Sequence, residues 1–361
     1  MIKLKQTPEQ VELLRAIASK NKTESLNAAE MFAAAASPVI GTVLSQLGTA
    51  SLFYEDFPIG EDESPTFPLD EFYGESAGYI NVWYMPGVAG GLPSSRLEGS
   101  GEMPLTTYEL ESAFHFKKDY ARKTSAFNVL QRGMARMINE ILVKQDRQAW
   151  ACILRALAEA SSDGTSHIIS ATTAGRLQLN DFNRLLTLNK RINKSYANGT
   201  PDMMFTNGIT DLVVSAELKE DIRGFAYQPM NTIATPNTNQ STVLPLPDSI
   251  REEIYRSAGS SSIYGINISD VYELGVGQKY NILFAKYKTS GFTQATQQIA
   301  VGVNASKGGL LRPVRTDGVG GTAEMLVDDV FTARSKDVGF YTQIREGRTV
   351  LDSRVLNGLI V

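Results

Sequence analysis

From Ala126 to Ala160 the sequence contains no proline and one glycine, Gly133, while Leu130, Met134, Met137, Ile138, Ile141, Leu142, Ala149, Ile153 and Leu157 recur at spacings of three and four. That period places them on one stripe of a single α-helix, for which Ser125 is a suitable N-cap. At 1.5 Å per residue the helix is roughly 50 Å long. Helices in compact enzyme domains commonly run about 8 to 20 residues, so this one predicts a spine. A stripe of methionine and aromatic residues on such a helix reads as core, and no cofactor is assigned to Met134, Met137 or Trp150.

The rest of the chain must be organised around that spine. At 361 residues and 39.4 kDa it exceeds one ordinary core, which predicts two packed lobes or an elongated single chain. Hydrophobic residues at 42%, charged residues at 20% and a mean hydropathy of -0.15 fit neither wholesale disorder nor a membrane bundle. Thirty-five Lys plus Arg against 39 Asp plus Glu give a net charge of -4, which argues against coating nucleic acid by neutralising phosphates. The single cysteine, Cys152, rules out an internal disulfide and a cysteine-based zinc site, and suits a reducing cytoplasm. With only His115 and His167, a histidine-rich metal centre is not expected, although carboxylates could hold a hard ion. The N-terminal residues Met1 to Gln6 lack the apolar core of a signal peptide, and no run of about 18 apolar residues is seen, so no membrane partner is expected.

Ahead of the spine, Thr7 and Pro8 start a short amphipathic helix with Val11, Leu14 and Ala18 on one face. A second helix is predicted from Ser25 to Ala36, stopping at Ser37 because Pro38 disfavours α geometry in the residue before it. Lys3, Lys5, Arg15, Lys20 and Lys22 make this region basic; Glu55, Asp56, Glu61, Asp62, Glu63, Asp70, Glu71 and Glu75 follow as an acidic stretch rich in proline and aromatics. Residues 1–75 read as an arm. Its charge clusters are either solvated surface or complementary docking elements. Next, GYINVWYM (Gly78 to Met85) and LTTYELESAFHFKK (Leu105 to Lys118) read as two long strands, joined by a tip from Pro86 to Pro104 dense in Gly, Pro and Ser. Such a connection has no core of its own and reads as a protruding β-hairpin with a lid or binding loop at its end.

After the Ser161 to Gly164 turn an α/β region is predicted, with a helix from Asn180 to about Tyr196, a strand at Met203 to Thr206 and a helix within Thr210 to Glu220. Residues 228–247 form an irregular excursion rich in Asn, Thr and Pro. Strands are expected at Gly265 to Leu274, Tyr280 to Lys288 and Gln298 to Asn304, and strand-like runs alternate from Leu310 to Val361. No repeat of about 20 to 50 residues is evident.

Reaction chemistry finds little support. There is no GxxxxGK loop to cradle phosphates. GVGQKY at Gly275 and GVGGTAE at Gly318 fall short of GxGxxG and read as turns. Ser19 to Lys22 meets SxxK without its partner motifs, and GxSxG is absent. Neither His115 nor His167 forms a constellation with a nucleophile and an orienting acid, so both read as structural. Asp328-Asp329 and Glu252-Glu253 are adjacent pairs, which point to opposite faces of a strand. No catalytic residue, cofactor site or metal site is assigned.

The order of arm, hairpin with a glycine-rich tip, long helix, α/β region and closing β segment resembles a tailed-bacteriophage major capsid protein of the Hong Kong 97 fold. Locally, PDMMFTNGITDLVVSAELKED at Pro201 is similar to that family's strand, turn and helix in the axial domain, and IYGINISDVYELGVGQKYNILFAKY at Ile263 is a second echo. The resemblance implies an α+β, Hong Kong 97-like fold with an N-terminal arm (1–75), an extended β-hairpin loop (76–118), a peripheral domain with the spine helix (119–165), an axial domain (166–309) and a peripheral β segment (310–361).

The function implied is a major capsid protein, with no enzyme activity, that self-assembles into an icosahedral head shell enclosing phage double-stranded DNA. Its implied partners are itself, as hexamers and pentamers, a separate scaffolding protein, a portal and a decoration protein, and it holds DNA without sequence-specific binding. It would be made and assembled in the bacterial host cytoplasm and reside in the virion capsid. Val82, Trp83, Tyr84, Arg96 and Glu98 would then lie on or near an intersubunit contact. The acidic arm, including Glu61, Asp62 and Glu63, would meet basic neighbours; Arg132, Arg136, Lys144 and Arg147 on the spine are candidates for that counter-surface, with ordinary solvation of these side chains the other reading. Some relatives crosslink through a lysine on the extended loop; the tip here carries Arg96 and no lysine, which argues against a covalent crosslink. Two other readings stay open: an encapsulin shell around a cargo protein, and a cytoplasmic α/β enzyme with a lid at Pro86 to Pro104.

Overall fold

The computed structural model describes residues 8–60, 62–68, 102–118, 126–162, 164–192, 208–225, 230–231, 243–244, 261–305, 308–316, 323–328 and 337–361. In chain order the main elements are α1 (Pro8–Ile17), α2 (Lys22–Gln46), β1 (Glu55–Ile59), β2 (Thr66–Pro68), β3 (Glu102–Pro104), β4 (Thr107–Lys117), α3 (Ala126–Glu159), β5 (Ile168–Ser170), α4 (Leu179–Ile192), β6 (Asp211–Val214), α5 (Ala216–Gly224), β7 (Ser261–Ile263), β8 (Ile266–Asp270), α6 (Lys279–Tyr287), β9 (Ile299–Val303), β10 (Leu310–Arg315), β11 (Glu324–Val327), β12 (Asp337–Gly347) and β13 (Leu356–Ile360). The fold is α+β, with two mixed six-stranded sheets. The chain divides into two units, the first from Met1–Pro65, Leu105–Ala149 and Leu311–Thr349, the second from Thr66–Pro104, Trp150–Leu310 and Val350–Val361.

In the first unit β12 is the organising strand. It pairs antiparallel with β4 along its whole length, from Thr107 opposite Gly347 to Lys117 opposite Asp337. Its other edge carries β11, and Val314 of β10 pairs with Glu346. The alternation in β4 is the half-buried period expected of such a strand. Its described partner is thus a C-terminal strand, whereas the hairpin predicted with Gly78 to Met85 falls on residues outside those described. Thr66 to Pro68 forms a short antiparallel pair with Glu102 to Pro104.

The segment expected as an arm is, from Pro8 to Ile59, built into this unit. β1 runs parallel to β10, and Leu14, Ile17, Ala28, Ala33, Ile40 and Leu44 share one core with Leu130, Met134, Met137, Ile138, Phe340 and Ile344. The predicted helix end at Ser37 is corrected: α2 continues to Gln46 with Pro38 inside it. Proline in a helix interior costs about 3 kcal/mol. Ala36, Ile40 and Leu44 stay in the core on either side of it, and burying each large apolar side chain returns about 1.5–3 kcal/mol. Ser37 Oγ also donates to the Ala323 carbonyl (2.5 Å) and Thr42 Oγ1 to the Pro38 carbonyl (2.9 Å). Over Lys22–Leu44 this helix is long and apolar enough, by length and composition, to cross a bilayer, at a hydropathy of 1.2. The expectation that no such run exists is therefore also corrected.

The spine is as the spacing predicts. α3 spans Ala126–Glu159, 34 residues, with Trp150, Ile153, Leu154 and Leu157 fully buried.

The second unit is built on the strand order β7, β8, β6, β9, β13, β5. β8 and β6 are parallel, as are β13 and β5. α4 and α5 supply Phe182, Leu185, Leu188, Leu218 and Ile222 to a core shared with Leu212, Val214, Ile268 and Leu359. Residues 356–360 belong to this sheet and not with 311–349. Three predicted elements change, the first being the strand expected from Gly265 to Leu274, which ends at Asp270 and is followed by a 3-10 turn over Tyr272–Leu274. The helix placed within Thr210 to Glu220 is instead strand β6 followed by α5, because the apolar run Leu212 to Val214 inserts between β8 and β9 and Ser215 caps the helix by accepting from the Leu218 N–H. Tyr280 to Lys288, expected as a strand, is α6, in which Tyr280 and Phe284, one turn apart, are both buried. The strand predicted at Met203 to Thr206 lies outside the described residues.

Candidate assembly surface

Five consecutive β4 residues, Ser112 to Phe116, and one face of α3 enclose a surface groove of about 510 Å³ in the first unit. Phe114 and Met137 contribute apolar walls, and Arg132, Arg136 and Glu140 are exposed around them. The lone glycine of the spine explains the close approach: a Cβ at Gly133 would sit 3.1 Å from the Phe114 ring. A larger residue there would push strand and helix apart. Among the described residues Arg132 and Arg136 form no ion pair. The groove offers two cations beside aromatic and thioether surface.

Elsewhere in this unit a buried polar network ties five elements together. Glu346 on β12 is fully buried. Its carboxylate meets Arg312 Nη2 at 2.8 Å and Arg348 Nη2 at 3.5 Å, and accepts from Tyr108 Oη at 3.0 Å and Gln145 Nε2 at 3.1 Å. Arg312 also reaches half-exposed Asp56 at 3.3 Å, and the Arg348 guanidinium lies 5.1 Å from the Tyr54 ring centre. Burial, reinforced by the Glu346 charge, pushes the Tyr108 phenol far above its usual range. Tyr108 therefore stays a donor. The network fixes β1, β4, α3, β10 and β12 in register, which is a structural role.

The outer face of α2 is the third feature. Met31 is 64% exposed and Val39 45%, and beyond the helix Leu47 is 53% and Leu52 77% exposed. Met31 and Val39 lie two turns apart on the helix, and contiguous exposed apolar surface is the kind that interaction sites use.

Of the residues picked from sequence, Arg132 and Arg136 come together in the groove. Asp62 and Glu63 are exposed, and Glu63 Oε2 accepts from the Gly60 N–H at 3.0 Å. Glu61, Val82, Trp83, Tyr84, Arg96 and Glu98 lie outside the described residues. Lys144 and Arg147 are exposed on α3. His167 is structural: fully buried, its Nδ1 donates to the Ser353 and Leu356 carbonyls at 3.0 and 3.1 Å, and burial lowers its pKa. His115 is exposed on β4. No group of three or more His, Cys, Asp or Glu suited to a metal ion occurs among the described residues. The network around Glu346 and the bare face of α2 were missed. The second had a signal, the uncharged run from Met31 to Leu44, obscured by ending the helix at Pro38.

No protein-family model and no curated protein matches the sequence. Among solved structures, the chain is similar to the capsid of the cyanophage P-SCSP1u, at 13% identity over 85% of this chain and 86% of that one, with a TM-score of 0.46. It is similar to the capsid of a native GTA particle, at 12% identity over 87% and 90% and a TM-score of 0.47. It is also similar to the holo-SrpI encapsulin complex from Synechococcus elongatus PCC 7942, at 11% identity over 87% and 88% and a TM-score of 0.44.

Proposed function

We propose that this chain is a tailed-phage major capsid protein whose work is self-assembly into an icosahedral shell around double-stranded DNA. The observation that supports it most is architectural: a 34-residue helix whose residues divide between two α+β units, in a chain where Thr66–Pro68 pairs with Glu102–Pro104. The extended loop that this reading gives the chain would gain by being covered with neighbours. Repeated heterologous contacts around symmetry axes supply them.

On this reading the copies form hexamers and pentamers, the second unit is the axial domain, and most of the first is the peripheral domain. Val82, Trp83, Tyr84, Arg96 and Glu98 belong to contacts between copies, and Glu61, Asp62 and Glu63 face a neighbour's Arg132 and Arg136. A scaffolding protein, a portal and a decoration protein complete the particle, assembled in the host cytoplasm. No reaction is part of the function. The net charge of -4 suits a wall that repels packaged DNA instead of gripping it.

Deletion of residues 88–100 tests the reading, because it shortens the segment between β2 and β3 and spares β3 itself. The expected result is a far-UV circular dichroism spectrum and melting temperature close to the parent's, with shells lost in negative-stain micrographs. Shells as abundant as the parent's would refute the role given to that segment.

A further inference from the structure

We infer that the outer face of α2 pairs with the same face of a second copy of the chain across a two-fold axis, with Ala35 at the crossing. The inference concerns two copies and can fail or hold independently of the shell.

Between Met31 and Thr42 the exposed residues are Met31, Ala34, Ala35, Pro38, Val39 and Thr42. Their spacing of three and four makes one stripe of the helix, and none is charged. The opposite face, with Ala33, Ala36 and Ile40, is spent in the core of its own unit. The helix therefore cannot roll to hide the stripe without emptying that core.

The arrangement along the stripe selects the occupant. Met31 and Val39 each lie four residues from Ala35, one on either side. Two antiparallel copies related by a two-fold axis through Ala35 set Met31 of one opposite Val39 of the other. Where helices cross, small side chains let the backbones approach, and larger ones fill the gaps as the axes diverge. Such a contact is isologous, as a two-fold requires. Charge favours the same sense. Exposed Glu30 in one copy then faces the uncharged end of the stripe near Ile40 and Thr42, whereas parallel pairing would bring Glu30 beside Glu30.

The apolar surface continues past the helix. The Thr49 and Ala50 N–H groups donate to Asp146 Oδ1 at 2.8 and 3.1 Å, which holds this turn against α3 one helical turn from Val143, itself 45% exposed. Leu47 and Leu52 flank that turn. A twelve-residue stripe is about 18 Å long and by itself buries less than the roughly 800 Å² per partner of a stable stand-alone complex. The pairing is therefore weak between isolated copies, and Leu47, Leu52 and Val143 are the residues that enlarge it.

The test is site-directed disulfide formation in the full chain with Cys152→Ser. Ala35→Cys should give a covalent dimer under mild oxidation, since thiols at the crossing meet the 3.5–4.5 Å Cβ separation of a disulfide, and about tenfold more of it than Glu24→Cys. Two copies of residue 24 would lie roughly 30 Å apart. Mixed Met31→Cys and Val39→Cys proteins should crosslink to each other better than either does to itself. Ala35→Arg, at an exposed position, should keep the parent melting temperature and lose the pairing in sedimentation equilibrium at high concentration. Equal dimer from Ala35→Cys and Glu24→Cys, or Met31→Cys joining chiefly to itself, overturns the inference. So does flotation of the protein with anionic phospholipid vesicles that Ala35→Arg abolishes, since the face would then belong to a membrane. Dimer crosslinks without shells would count against the shell alone; shells without them, against this pairing alone.

Discussion

Replacing Glu346 by alanine is expected to destabilise the first unit severely. Arg312 and Arg348 have side chains only 2% and 4% exposed, and Glu346, at 0%, is the acid both contact; the other acid near Arg312, Asp56, is 50% exposed and 3.3 Å away. Removing one partner of a buried ion pair costs about 3–5 kcal/mol, because the remaining charge stays desolvated. Tyr108 and Gln145 lose an acceptor as well. Against a total stability of about 5–15 kcal/mol this is a large fraction. Urea unfolding followed by far-UV circular dichroism, at matched protein concentration, should show the midpoint fall with the slope retained. Tyr108→Phe provides the internal control. Alone it should cost about 1 kcal/mol, the net worth of its hydrogen bond; on top of Glu346→Ala it should cost nearly nothing, because its acceptor is gone. A Glu346→Ala loss below about 1 kcal/mol, or a Tyr108→Phe cost unchanged in its presence, would refute the claim that this carboxylate holds the network together.

Three further outcomes are expected. Gly208→Ala should abolish soluble expression or cost more than about 2 kcal/mol, because Gly208 has φ +76° and its Cβ would lie 1.9 Å from Asn189 Nδ2, whose side-chain oxygen accepts from buried Asn357 at 2.6 Å; a melting temperature equal to the parent's would contradict this. The lowered pKa of buried His167 means the unfolded chain binds a proton the folded chain refuses, so stability should decline as pH falls below the ordinary histidine value of 6.5 toward the folded one, and His167→Asn should flatten that decline; an identical pH dependence in both proteins would exclude His167 as its source. Pro38→Ala should raise the melting temperature, by as much as about 3 kcal/mol of stability, because it restores a helix N–H and removes a ring from the interior of α2; an unchanged or lower value would mean that the proline is not strained there.

The elements legible in the sequence were those whose period runs long enough to be unambiguous. α3 and β4 begin and end within two residues of where spacing places them, since a stripe repeated over many turns and an alternation over eleven residues each allow one conformation. Short apolar runs were harder. Tyr280 to Lys288 fits a buried strand as well as a helix, and tertiary contacts bear on the outcome: Tyr280, Asn281 and Phe284 share the buried face of α6, and Asn281 Nδ2 donates to the Gln294 and Gln297 carbonyls. Pro38 misled because a local preference of a few kcal/mol was outweighed by core residues distributed on both sides of it. Arg132 and Arg136, named as a counter-surface on the resemblance, lie one helical turn apart and line the groove. The residues around Glu346 come from five separate stretches of chain, and no local pattern announces that two arginines, a tyrosine and a glutamine converge on one acid.

The most direct measurement is electron cryo-microscopy of particles from cells expressing this chain together with the products of its neighbouring genes. The expected result is closed shells of uniform size, with pentamers and hexamers of this chain and DNA inside those that are filled. Homogeneous monomers, dimers or tetramers under the same conditions, with no shells at any protein concentration reached, would contradict it.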